Sequence, residues 1–77
     1  MTNPDMYEQW QSLCDKHEIA RDAHYKALSI VNGKFRAVAK GASGHNPSSD
    51  DLLEFERTWS SWESVKREMA EFVKSHI

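Results

Sequence analysis

The sequence predicts an all-α protein, a long antiparallel helical hairpin that assembles into a four-helix bundle. Apolar residues recur at alternating steps of four and three along two long segments, which places their side chains on one face of an α-helix. The one clear cluster of helix-breaking residues, KGASGHNPSSDD at 40–51, separates these segments. A chain of 77 residues with a single such break predicts one helical-hairpin domain spanning residues 1–77.

The first helix is predicted over about residues 4–40. Asn3 suits the N-cap and Pro4 the first helical position. Asn32-Gly33 also matches a two-residue β-hairpin turn, but the apolar spacing continues through it to Phe35 and Val38, so we expect a helix that is kinked near Gly33. The residues of the apolar seam are Met6, Trp10, Leu13, His17, Ala20, His24, Ala27 and Val31.

A loop at about 41–47 and a second helix at about 48–75 follow. Gly41 can end the first helix in a left-handed cap. The second helix can start at Asn46-Pro47, or it can be capped by Ser48 or Ser49, with Asp51 three residues after Ser48 as in a capping box. The apolar seam of this helix is predicted to comprise Leu52, Phe55, Trp59, Trp62, Lys66, Met69, Val73 and His76.

The two closely spaced tryptophans of the second helix are predicted to fill the core. Folding the hairpin about residue 44 predicts these neighbours: Trp59 near Leu28 and Val31, and Trp62 near His24 and Ala27. Large side chains then face small ones, which is how helices reach native packing density. A single hairpin nevertheless leaves one flank of each seam exposed to solvent, and a large exposed apolar patch usually marks an interface.

Composition and charge narrow the class of protein. Cys14 is the only cysteine, which suits a reducing, cytoplasmic compartment. The beginning MTNPDMYEQW lacks the apolar region of a signal peptide, and no apolar run approaches the ~20 residues of a membrane span. A net charge of −2 disfavours a general nucleic-acid-binding protein.

Cys14, His17 and His24 share one helical face and are the candidates for a metal or small-ligand site, and His76 could approach Cys14 in an antiparallel hairpin. Zinc takes four ligands, or three and a water molecule, and this spacing is not specific for a metal. Histidines at seam positions also serve as polar residues that set the register of a helical bundle. We therefore expect no cofactor, and keep metal or small-ligand binding as an alternative hypothesis.

A basic stretch, NGKFRAVAKG at 32–41, is the candidate for nucleic-acid binding. Lys34, Arg36 and Lys40 could contact phosphates. The facing segment 48–56 carries Asp50, Asp51 and two glutamates, which would neutralise these cations across the hairpin. Nucleic-acid binding is the further alternative.

No enzyme signature is present in the sequence. There is no glycine-rich phosphate loop beside a strand, no nucleophile elbow and no HExxH motif. We expect a small non-enzymatic protein–protein interaction module, a regulator, adaptor or inhibitor, that forms a homodimer or binds another protein partner. The candidate interface residues are Trp10, Leu13, Leu28, Phe35, Phe55, Trp59, Trp62, Val65 and Phe72.

Overall fold

Two long antiparallel α-helices make up the described part of the chain. The computed structural model describes residues 4–41 and 46–77, so the predicted cap Asn3 and residues 42–45 of the predicted loop lie outside it. Helix α1 spans Pro4–Ala39 and helix α2 spans Ser49–His76. They form a rod of 63 × 17 × 14 Å. The predicted all-α class and the hairpin shape are confirmed.

The inner end of each helix has a cap that is among those predicted from the sequence. Gly41 has a φ of 91°, and its N–H donates to the carbonyl of Val38 at 2.9 Å, as in a left-handed C-terminal cap. Ser48 is the N-cap of α2 in a reciprocal capping box with Asp51. The Asp51 N–H donates to Ser48 Oγ at 3.1 Å, and the Ser48 N–H donates to the Asp51 carboxylate at 2.9 Å.

Helix α1 runs through Asn32-Gly33 without a break. The β-hairpin alternative is therefore wrong for this segment. A Cβ added at Gly33 would meet no atom within 4 Å, so neither a turn nor a close approach of backbone requires glycine there. The helical spacing of Val31, Phe35 and Val38 was the correct signal, because local turn propensity is weaker than helix packing over many residues.

The seam predicted for α1 is confirmed, while the seam predicted for α2 is rotated from the true one. The buried residues of α1 are Ala20, His24, Ala27 and Val31, and those of α2 are Thr58 and Val65. Trp59, predicted to be a core residue, is 49% exposed, and Leu52, Lys66 and Val73 are exposed beside it. The true seam of α2 is Phe55, Thr58, Trp62, Val65, Met69 and Phe72, all of them buried or half-buried.

The register of the hairpin differs from a fold about residue 44 by one to two helical turns, since Thr58 lies level with His24 and not with Ile30. Trp59 packs against His24, one turn before Leu28, its predicted neighbour. Trp62 does contact His24, as predicted, but also reaches His17. The first turn of α2 is tied to Lys34 through Asp51, so the last turn of α1 extends beyond the start of α2.

Neither helix, over the described ranges 4–41 and 46–77, is long and apolar enough to cross a membrane.

Candidate functional site

A buried polar pair fixes how the two helices face each other. His24 is 1% and Thr58 2% exposed, and His24 Nδ1 lies 3.2 Å from Thr58 Oγ1. The Thr58 hydroxyl donates to backbone carbonyls of its own helix, at 2.9 Å to Glu54 and 3.1 Å to Phe55. Its single hydrogen is thereby used, so Thr58 Oγ1 accepts from the Nδ1–H of His24. This bond satisfies both polar groups.

Three aromatic rings surround the imidazole of His24. Its ring centroid lies 5.0 Å from those of Phe55 and Trp59 and 5.6 Å from that of Trp62. These rings supply much of the apolar contact near the middle of the hairpin. No described apolar side chain larger than valine is buried, so the aromatic residues of the core keep part of their surface in water.

Trp62 connects this core to one flank of the hairpin. Its indole Nε1–H donates to His17 Nε2 at 3.1 Å, and Tyr25 packs edge-on against its ring at 5.6 Å. The Lys66 ammonium lies 4.3 Å from the ring centroid, a cation–π geometry. The position of Tyr25 and Lys66 around Trp62 shows which residues of the two helices share this flank.

We call this flank the aromatic face. It consists of two rows of residues spaced seven apart, a spacing that keeps a row on one side of a helix pair. The rows are Tyr7, Cys14, Arg21, Leu28 and Phe35 on α1, and Leu52, Trp59, Lys66 and Val73 on α2. Six of the nine side chains are large and apolar, and five of these are at least 39% exposed: Tyr7, Phe35, Leu52, Trp59 and Val73.

The aromatic face ends in an apolar groove between the beginning of α1 and the end of α2. Trp10 and Phe72 stack at its base with ring centroids 5.6 Å apart. The groove has a volume of about 360 Å³ and is lined by Met6, Tyr7, Trp10, Phe72, Val73, His76 and Ile77. Exposure of such a surface to water costs roughly 25 cal/mol of free energy for each Å² of apolar area.

The opposite flank, which we call the polar face, has a different chemistry. Its heptad-spaced rows are Gln9, Lys16, Ala23, Ile30 and Ala37 on α1, and Glu54, Ser61, Glu68 and Ser75 on α2. Lys16 pairs with Glu68 across the helices at 3.6 Å. Arg57 bonds Glu54 and holds the pKa of that carboxyl below its usual value. A groove of about 390 Å³ on this side is lined by Lys16, Ile19, Ala20, Ala23, Arg57, Thr58, Ser61 and Val65.

The residues predicted to form an interface divide into three groups. Val65 is buried within the hairpin. Phe35 and Trp59 are exposed on the aromatic face. The rest are half-buried between the helices, where each keeps an accessible edge: Trp10, Leu13, Leu28, Phe55, Trp62 and Phe72.

Sequence reasoning missed four exposed apolar residues on or beside the aromatic face as interface candidates: Tyr7, Tyr25, Leu52 and Val73. The signal that could have found them is the pair of heptad-spaced rows, since three of the four belong to a row. Leu52 and Val73 were instead assigned to the core seam of α2. The burial of Thr58 rotates the seam of α2 so that Leu52 and Val73 lie outside it. A pattern of apolar residues does not include a threonine, so it did not reveal this rotation.

The candidate metal ligands are not assembled into a site. Among residues 4–41 and 46–77, no group of three or more histidine, cysteine or acidic side chains could hold a metal ion. His17 Nε2 accepts from Trp62, His24 Nδ1 bonds Thr58, and Cys14 lies half-buried on the aromatic face. Both histidines act in the structure as polar members of the helix seam.

The predicted neutralisation of the basic stretch is visible at Lys34. Its ammonium pairs with the Asp51 carboxylate, which also accepts from the Ser48 N–H. These two donors, the ammonium first, lower the pKa of Asp51 from its ordinary value of 3.8. Arg36 and Lys40 lie on exposed positions near the end of α1.

Comparisons of the chain with protein-family models, with curated proteins and with solved structures gave no match.

Proposed function

We propose that the protein is a non-enzymatic protein–protein interaction module that works as a homodimer. The aromatic faces of two copies pack against each other and close a four-helix bundle. The dimer then presents its outer, polar surfaces to other macromolecules, as a regulator, adaptor or inhibitor does. The observation that carries this proposal is the asymmetry of the hairpin. Six of the nine row residues of the aromatic face are large and apolar, whereas Ile30 is the one such residue among the nine of the polar face.

The surface area of the hairpin supports association. A folded monomer of 8.9 kDa is expected to expose about 4,800 Å² by the scaling of surface with mass. This chain exposes 5913 Å², so its excess is about 1,100 Å². A standard protein–protein interface removes about 800 Å² from each partner, which is close to the excess of one hairpin.

The composition of the core supports the same proposal. Four small or medium apolar residues and one polar pair are the buried set among the described residues. A domain of this size has only roughly 3–5 kcal/mol of stability available from a single core. Complete burial of a large apolar side chain contributes roughly 1.5–3 kcal/mol. The five exposed ones of the aromatic face still expose 39–63% of their surface, so covering each of them adds about half of that amount. A second hairpin packed at an angle of about 20° covers such rows, and two-fold symmetry is the commonest way to do so.

Matched substitutions on the two faces test the proposal. Leu52→Ser with Val73→Ser removes two aliphatic side chains from the aromatic face, and Ile19→Ser with Ile30→Ser removes two from the opposite side of the hairpin. The two control positions are 71% and 44% exposed, against 44% and 39% for the test positions. Circular dichroism confirms that both variants remain helical, and light scattering after size exclusion gives their masses.

The proposal expects the wild type and the Ile19/Ile30 variant to be dimers of about twice 8.9 kDa. The Leu52/Val73 variant should be largely monomeric, because the dimer loses four buried side chains. A monomeric wild type at tens of micromolar, or a loss of dimer in the control variant alone, would overturn it.

A further inference from the structure

We infer that the two copies are related by a two-fold axis parallel to the length of the hairpin. Helix α1 of each copy then lies antiparallel against α2 of the other, and Arg21 of each copy pairs with Glu63 of the second copy. This inference rests on the proposed function and specifies its interface. It follows from the order of apolar and charged residues along the aromatic face.

Contacts within the hairpin give the height of each residue along the rod. Trp10 stacks on Phe72 near the chain ends, and His24 bonds Thr58 near the middle. Lys34 pairs with Asp51 near the turn. A two-fold axis parallel to the rod leaves these heights unchanged, so a residue of α1 meets the α2 residue of the second copy that lies at its own height.

Apolar residues then meet apolar residues at both ends of the interface. Val73 of the second copy lies at the height of the Tyr7 and Trp10 rings. Near the turn, Leu52 of the second copy falls between Leu28 and Phe35. The apolar groove of one copy thus faces the same groove of the other, and the two close over a shared apolar cluster.

The charged residues of the aromatic face are gathered in its middle. Arg21 is half-buried and bonds Asp22 at 3.1 Å, while Glu63 pairs with Lys66 at 2.8 Å. Glu63 lies beside Trp62, at the height of Arg21, and its side chain is 44% exposed. In the inferred dimer it faces Arg21 of the second copy, which gives a symmetrical pair of ionic contacts at the centre.

The alternative two-fold axis, perpendicular to the rod, matches the chemistry poorly. It would place α1 against α1 and bring Arg21 opposite Arg21 of the second copy. It would also place the Lys66 ammonium at the height of apolar residues near the turn. Like charges in contact oppose association, so the order of residues favours the parallel axis.

Charge reversal tests this arrangement. Arg21→Glu and Glu63→Arg are made separately, and each is examined alone and in an equimolar mixture. Each variant alone places like charges at both central contacts, so its dissociation constant should rise at least about tenfold. In the mixture every central contact pairs opposite charges again, and a heterodimer should form with near wild-type affinity. Native mass spectrometry identifies the heterodimer by its mass.

The matched controls are Arg57→Glu and Glu68→Arg, which reverse two charges on the polar side of the hairpin. They also break ion pairs, with Glu54 and with Lys16, and should leave the dimer unchanged. Circular dichroism verifies that all four variants are folded.

The outcomes separate this inference from the proposed function. If the wild type is a dimer and both variants dimerise normally, the inferred axis is overturned and the proposed function is unaffected. The same holds if Arg21→Glu binds the wild type more tightly than it binds Glu63→Arg. A monomeric wild type overturns both. The inferred arrangement is supported if each variant by itself dimerises weakly and their mixture forms the heterodimer.

Discussion

Replacing Thr58 by valine should destabilise the hairpin although it changes the side-chain volume very little. The substitution exchanges a hydroxyl for a methyl group, so it leaves no cavity. It removes the acceptor of the His24 Nδ1–H, which lies 3.2 Å from Thr58 Oγ1. His24 is 1% exposed, so water cannot replace the missing partner without opening the core. The hydrogen bond from the Thr58 hydroxyl to the Glu54 carbonyl is also lost. This loss costs little stability, because a helix N–H group also donates to that carbonyl.

The expected loss in the free energy of unfolding is that of a buried donor without a partner, about 1–3 kcal/mol. This is a large share of the roughly 3–5 kcal/mol available to a core of this size. For a domain of 60–100 residues, each kcal/mol shifts the melting temperature by about 4–8 °C. The Thr58→Val variant should therefore melt well below the wild type at the same protein concentration, which must be fixed because dimerisation adds stability.

A double-mutant cycle isolates the hydrogen bond from the packing. His24→Leu removes the donor, and the double variant replaces both partners by apolar side chains. Its loss of stability in urea unfolding should be smaller than the sum of the two single losses by about 1 kcal/mol or more. Ser61→Ala, at an exposed position of the same helix, is the control. Losses that add to within about 0.5 kcal/mol would refute a coupled, buried pair.

Three further predictions concern the backbone and the packing of the hairpin. Ala27→Leu should lower the free energy of unfolding by about 1–3 kcal/mol, because a larger side chain at a 5% exposed position between the helices overfills the packing. Gly33→Ala should raise it by about 0.5–1 kcal/mol, because the site is helical and open. Wild-type stability should fall as the pH drops below about 4, since the pKa of Asp51 is lowered in the folded state by Lys34. That contribution is present above the unfolded pKa and is lost as the pH falls through the folded pKa; an Asp51→Asn variant should lack it.

Controls make these three results interpretable. Ala23→Leu, at an exposed position one turn from Ala27, should cost far less, and equal losses would contradict the register. A Gly33→Ala variant less stable than the wild type would contradict a continuous α1. An Asp50→Asn variant serves as the neighbouring carboxylate control, and an acid-unfolding curve of Asp51→Asn that matches the wild type would contradict the role of the Lys34 pair.

The sequence was sufficient to predict features that depend on local chemistry. The left-handed cap at Gly41 follows from residue type and spacing, and the capping box of Ser48 and Asp51 is one of the helix starts that the same signals indicate. The seam of α1 was also predictable, because its small apolar residues Ala20, Ala27 and Val31 lie on one side of the helix. A second helix can approach closely on that side. The neutralisation of the basic stretch followed from opposite charges on facing segments, although the individual Lys34–Asp51 pair was not predicted.

The seam of α2 and the register could not be predicted in the same way. Thr58 is buried because its hydroxyl satisfies both its own helix and His24, and a pattern of apolar residues excludes it. Trp59 was therefore assigned to the core, although the ring lies at its edge. The register depends on where Asp51 meets Lys34, and loop length alone does not determine how far α1 extends beyond the start of α2.

Small-angle X-ray scattering tests most directly the central claim that two copies pack side by side along their length. Forward scattering gives the mass, and the distance distribution gives the length of the particle. The account predicts a mass of twice 8.9 kDa in a particle whose long axis stays close to the 63 Å of one hairpin, because the two rods overlap fully. A mass of one chain, or a dimer with a long axis approaching twice that length, would contradict it.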